Sequence, residues 1–227
     1  MFIAIPIRLQ DSREFATVPL VNGMLIILNV LVFCAGGQPF VGPGTGLLSI
    51  VTYAFGHAGV WHLAGNMLAL LVFGTAVNCR VGNLWYLLGY VGSAATLGAF
   101  AWMFATRPLI GASGAVFSVI AMACLLLPAA RVEVCYFALF PVTLLIGIVH
   151  RPRDWVYWFI RWDSFELRAW WGLVLVPVLE LWGLFWVGWN WTNLAHMFGL
   201  VCGVTFVLLL PTRISMSGRI GTLAADS

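Results

Sequence analysis

Six long, mostly apolar runs, at 18–35, 62–77, 84–105, 112–128, 171–187 and 194–210, restrict this chain more than any other feature. A helix needs about 20 residues to cross the roughly 30 Å hydrocarbon core. Backbone polar groups in lipid must be paired internally, which leaves only helices or a closed barrel. The runs are unbroken rather than short and alternating, so a barrel is excluded. Charge is scarce as well: 62% of the 227 residues are hydrophobic and only 8% are charged, too few for a soluble domain. A polytopic, all-α membrane protein is predicted. The net charge of +3 is too small to imply a nucleic-acid partner.

All eleven basic residues are arginine, and they orient the bundle. With six spans and a cytoplasmic N-terminus, Arg8, Arg13, Arg80, Arg131, Arg151, Arg153, Arg161, Arg168, Arg213 and Arg219 lie inside, and Arg107 alone lies outside. The stretch 132–149 is apolar enough for a seventh span. Crossing there would strand Arg151, Arg153, Arg161 and Arg168 outside, against the positive-inside rule. Residues 131–170 are therefore expected to form a cytoplasmic-side insertion between the fourth and fifth helices, re-entrant or interfacial. The expected layout is an N-terminal cytoplasmic tail (1–17), a membrane domain (18–210) and a C-terminal cytoplasmic tail (211–227). The Gly- and Pro-rich segment 36–61 reads as a loop lying partly in the interface. Residues 1–17 show no cleavable signal pattern. Cys34, Cys79, Cys124, Cys135 and Cys202 are scattered, so neither a metal site nor a disulfide framework is indicated, and no cofactor is implied.

A few polar groups stand out against this background. Gly111-Ala112-Ser113-Gly114 opens the fourth helix, with Phe117 one turn on. Glycines beside a serine leave room for a substrate carbonyl at the hydroxyl, although small residues also serve plain helix packing. The second helix begins with His62 and Asn66, four apart and so on one face, with His57 in the preceding loop. Polar side chains inside a span are costly unless they are paired or face water. The last helix begins Ala195-His196, followed by Gly199 and Gly203, a small-residue stripe that permits close approach. In the six-span topology, Ser113, His62, Asn66 and His196 all lie near the outer ends of their helices. A seventh span would move His196 to the opposite face, about 30 Å away.

These residues resemble the rhomboid family of intramembrane serine proteases. The likeness rests on His57-x4-His62-x3-Asn66, on Gly111-Ala112-Ser113-Gly114, and on Ala195-His196 with Gly199 and Gly203. Ile5-Pro6-Ile7-Arg8 and the run from Leu25 to Val30 resemble bacterial members in particular. The resemblance implies a six-helix, rhomboid-like bundle in a bacterial plasma membrane that cleaves transmembrane or membrane-proximal protein segments. It implies Ser113 as nucleophile and His196 as base and then acid. The Ser113 N–H, His62 and Asn66 would form the oxyanion hole, with His57, Gly111, Gly114, Phe117 and Gly199 in support. The family uses a Ser–His dyad, and no carboxylate is expected to orient His196.

Some positions depart from the family pattern. The first loop lacks Trp-Arg, Asn78 stands where Glu is common, and Ser118 stands where Gly is common. These bear on how the first loop and the helices are held. Glu180, the sole acidic residue in the six runs, is expected to be either protonated or hydrogen-bonded within the bundle. His150 reads as a solvated loop residue, and the tryptophans at 155–191 as interfacial anchors. Three rival functions are a catalytically silent rhomboid-like binder of membrane helices, a haem protein using His62 and His196 as axial ligands, and a transporter.

Overall fold

The computed structural model describes residues 2–11, 17–150, 154–188 and 190–211. The expected C-terminal tail falls almost wholly outside them, as do Arg13, Arg151, Arg153, Arg213 and Arg219. The chain is mostly helical. Strand β1 (Phe2–Gln10) leads into α1 (Leu20–Cys34). A short α2 (Ser49–Thr52) sits in the first loop. Helix α3 (Val60–Ala69), a π turn (Leu70–Gly74) and α4 (Thr75–Val81) run on as one apolar helix. Then come α5 (Asn83–Phe104), α6 (Ser113–Leu126), β2 (Arg131–Leu139), α7 (Val142–His150), β3 (Ile160–Arg168), α8 (Gly172–Val187) and α9 (Trp191–Leu209). Among the described residues four helices are long and apolar enough to cross a membrane: Val60–Val81, Asn83–Phe104, Ala169–Trp186 and Trp191–Leu209. Leu20–Cys34 and Ser113–Leu126 are shorter and equally apolar.

The expectation of an all-α chain needs correction. Residues 2–10, 131–139 and 160–168 form a three-stranded antiparallel sheet in the order β1-β2-β3. Arg131 pairs with Arg168 at one end of β2–β3 and Leu139 with Ile160 at the other. Pro6 cannot donate to a ladder and is tolerated because β1 is an edge strand, with a register shift between Pro6 and Arg8. The apolar stretch 132–149 is thus split between strand β2 and the nine-residue α7, with a turn at Phe140 and Pro141 between them. Nine residues rise only about 14 Å, well short of a bilayer core. Helix α7 is therefore too short to be a seventh span. The sheet joins the N-terminal segment to the link between α6 and α8.

Helix packing follows the small residues. A Cβ at Gly199 would run into the Gly114 carbonyl, and one at Gly203 into the Ser118 carbonyl, so α6 and α9 meet backbone to backbone. Ser93 and Ser118 share a buried 2.7 Å hydrogen bond between α5 and α6. A second polar cluster ties α1 to the π turn. Asn22 donates to the Leu70 carbonyl (2.9 Å) and to Thr75 Oγ1 (3.1 Å), and accepts from the Tyr86 hydroxyl (2.7 Å). Asn78 accepts from the Asn22 backbone N–H and donates to Asn83 Oδ1, each at 2.9 Å. A π turn breaks the regular i→i−4 ladder, and the Asn22 side chain supplies a partner for one carbonyl there.

The first loop is held without Trp-Arg. Val41 and Leu109 form a two-bond β-bridge at 2.8 and 2.9 Å. Trp102 Nε1 donates to the Thr45 carbonyl (2.7 Å), and the Tyr53 hydroxyl to the Ala94 carbonyl (3.0 Å).

Candidate active site

The sheet fixes which helix ends lie together. Helix α6 starts at Ser113 and ends toward β2, while α8 starts just after β3 and ends at Val187. Helix α9 then starts at the far end from the sheet. Ser113 and His196 therefore occupy the same end of the bundle. The glycine contacts bring their helices together at this point: Ala195, next to His196, presents its carbonyl 3.5 Å from where a Cβ on Gly114 would stand.

The His196 ring lies flat on Phe117, with centroids 4.0 Å apart and planes 9° apart. Phe117 is four residues after Ser113, so ring and hydroxyl share one face of α6. Ser113 is partly exposed and is the first residue of its helix. The first intrahelical bond runs from Val116 N–H to the Ala112 carbonyl, which leaves the Ser113 N–H free of the helix ladder. That end also carries the positive pole of the helix dipole.

Gly111 shapes the other wall. Its φ of +120° is a conformation that side chains rarely adopt, and a methyl group there would lie 2.6 Å from His62 Cε1 and 2.9 Å from Nε2. The imidazole of His62 therefore rests against the entry to α6. His62 Nδ1 accepts from the Ala58 N–H at 3.4 Å, which assigns the ring proton to Nε2 on the Gly111 side. One turn along, Asn66 is 7% exposed, and its Nδ2 has no hydrogen-bond partner among the described residues. An unspent buried donor is unusual and suits a ligand oxygen. His57 is fully buried and meets His62 edge-on, with centroids 5.1 Å apart. Burial, and secondarily the neighbouring His62 ring, pushes His57 down from 6.5 to about 4.

One expectation fails here. A carboxylate does reach His196: Glu180 Oε1 lies 2.9 Å from Nδ1. Its other oxygen, Oε2, accepts from Asn193 Nδ2 at 2.6 Å. Asn193 sits in the first turn of α9, where its backbone N–H is capped by the Asn190 side chain at 2.9 Å. Sequence reasoning missed Glu180 and Asn193 as a pair. The available signal was a lone acid in a span, whose partner should have been sought at equal depth on the next helix.

A Rhomboid domain profile matches residues 44–213. The mitochondrial rhomboid protein 1 of Saccharomyces cerevisiae is 31% identical over 149 residues, covering 61% of this chain and 42% of that protein. The human mitochondrial presenilin-associated rhomboid-like protein is 28% identical over 143 residues, covering 52% of this chain and 36% of that protein. The matched regions thus span less than half of either relative, and both relatives are mitochondrial rather than bacterial. The family they share includes intramembrane serine proteases. With three quarters of its length matched by that profile, this integral membrane protein belongs to the rhomboid family.

Proposed function

We propose that this chain is an intramembrane serine endopeptidase that cleaves transmembrane or membrane-proximal protein segments. The observation that carries it is the imidazole of His196 stacked on Phe117, one turn from Ser113, across backbone-to-backbone α6 and α9. His196 Nδ1 is engaged by Glu180, which leaves Nε2 for Ser113. Ser113 Oγ attacks the substrate carbonyl carbon, and its proton passes to His196 Nε2. Collapse breaks the C–N bond as Nε2–H gives that proton to the departing amine. Water then attacks the acyl ester by the same relay and restores the free serine. The developing oxyanion is met by the Ser113 N–H, His62 Nε2–H and Asn66 Nδ2.

Six helices cross the membrane in this reading, with β1–β3 on the cytoplasmic side or its organellar equivalent. The arginines at 131, 161 and 168, all in the sheet, favour that orientation. A bacterial plasma membrane is the proposed location on the N-terminal resemblance, against the mitochondrial setting of the matched relatives. Helix α8 is the natural side for substrate entry: 6% of its apolar stretch is covered by protein, against 44% for Val60–Val81. A substrate helix must unwind locally, because its carbonyls are tied into the backbone ladder.

The test is cleavage of a panel of tagged single-span proteins by wild type and by Ser113→Ala, alongside fluorophosphonate labelling. Cleavage and labelling that both vanish in Ser113→Ala support the proposal. Wild type that leaves every substrate intact, or equal labelling of both proteins, defeats it in favour of a silent helix binder.

A further inference from the structure

We propose that Glu180 is a positioning residue for His196, so that Ser113, His196 and Glu180 act as a three-membered relay braced by Asn193. The inference rests on the hydrolase reading above and deepens it. The bond from Glu180 Oε1 to His196 Nδ1 is 2.9 Å, and the two side chains are 14% and 16% exposed. An acid in a lipid-facing helix is costly and is kept only where it is paired. A plain tie between two helices needs no charge, since the polar cluster around Asn22 makes one with amides and hydroxyls alone.

The carboxyl group is itself immobilised. Asn193 Nδ2 holds Oε2 at 2.6 Å and reaches the Glu180 main-chain carbonyl at 3.3 Å. Asn193 and His196 are three apart on α9, on one face, in a turn fixed by the Asn190 cap. Two constraints therefore act on the imidazole. Phe117 sets the plane of the ring, and Glu180 sets its rotation within that plane. Together they place the proton on Nδ1 and leave the Nε2 lone pair for the Ser113 hydroxyl. When Nε2 accepts that proton, the ring becomes cationic beside the carboxylate, which stabilises it without taking a proton. Among the described residues, His62 on α3 also lies within electrostatic reach of His196.

The experiment compares wild type, Glu180→Gln and Asn193→Ala. Glu180→Gln should lower kcat by at least about 10-fold, below the ~10⁴-fold known for the buried Asp of a serine-protease triad. KM should change little. Fluorophosphonate labelling should slow in parallel, since that small probe needs no helix to enter. Asn193→Ala should lower kcat in the same direction by up to about 10-fold, and it carries the test should Glu180→Gln fail to fold. Unchanged labelling overturns the proposal and makes Glu180 a helix tie, whatever happens to cleavage of helical substrates. The ¹⁵N spectrum of His196 gives a readout independent of turnover. Wild type should show one tautomer, protonated at Nδ1, and Glu180→Gln should lose it. A mixed tautomer in wild type overturns the proposal even in a protein that hydrolyses nothing. Absence of any Ser113-dependent cleavage or labelling in wild type instead defeats the hydrolase reading.

Discussion

Gly111→Ala is the sharpest perturbation of the pocket. The added methyl group would stand 2.6 Å from His62 Cε1 and 2.9 Å from Nε2. Ordinary carbon contacts begin near 3.5 Å, so the imidazole must retreat by about 1 Å. The backbone also has to hold alanine at φ +120°, which costs about 1–3 kcal/mol. A displacement of that size at a reacting group costs about 10²-fold in rate, and loss of one oxyanion donor about 10²–10³-fold. Gly111→Ala should therefore lower kcat by about 10²-fold, with a modest drop in thermal stability. His62→Ala should do comparable damage by removing the donor outright. In the double variant the two losses should overlap, because once the ring is gone the methyl group has nothing to displace. The assay is kcat and KM for one tagged substrate across the four proteins of the cycle. Wild-type kcat in Gly111→Ala, or full additivity in the double variant, would refute the placement of His62 against this glycine.

Three other outcomes follow from the packing. Asn22→Ala strands the Leu70 carbonyl and the Tyr86 hydroxyl, at about 1–3 kcal/mol for each buried group left unpaired; unfolding in detergent should show the loss, and an unchanged midpoint would contradict the network. His57 binds its proton near pH 4 in the fold but near 6.5 when unfolded. Stability should therefore be complete above pH 6.5 and decline as pH falls toward 4, with a flatter slope in His57→Gln; identical slopes would remove His57 as the cause. Trp102→Phe deletes the bond to the Thr45 carbonyl and should destabilise the first loop by about 1 kcal/mol, seen as faster proteolysis within residues 36–48.

The helices were legible because lipid leaves a chain few choices, and long apolar runs announce them. Three features were not. Hydropathy over 132–149 masked a strand signal that the alternating valines at 132 and 134 could have given. Averaging hydrophobicity over a window hides its period. Glu180 is hydrogen-bonded within the bundle as expected, but its meeting with His196 was hidden for a different reason. Helices α8 and α9 fold back on one another about Gly188, and Glu180 and His196 stand eight residues to either side of it. Residues equidistant from a tight connection share a depth, so the meeting was implied by counting. The π turn left no trace in the sequence, and its Leu70 carbonyl is held by the Asn22 side chain from another helix.

That turn has a mechanical consequence. A π turn winds wider than its neighbours, so the helix beyond Gly74 is out of phase with the helix before Leu70 by about one residue, or roughly 100°. His62 and Asn66 are thereby aimed at one neighbour, and Thr75 and Asn78 at another, along a single rod. Deleting one residue between 70 and 74 should return the segment to a regular α-helix and leave both sets on their targets, whereas inserting one more would re-gear the rod and turn one set away, even if every side chain were conserved. The number of residues in that short segment is as much a determinant of the pocket as any group that lines it.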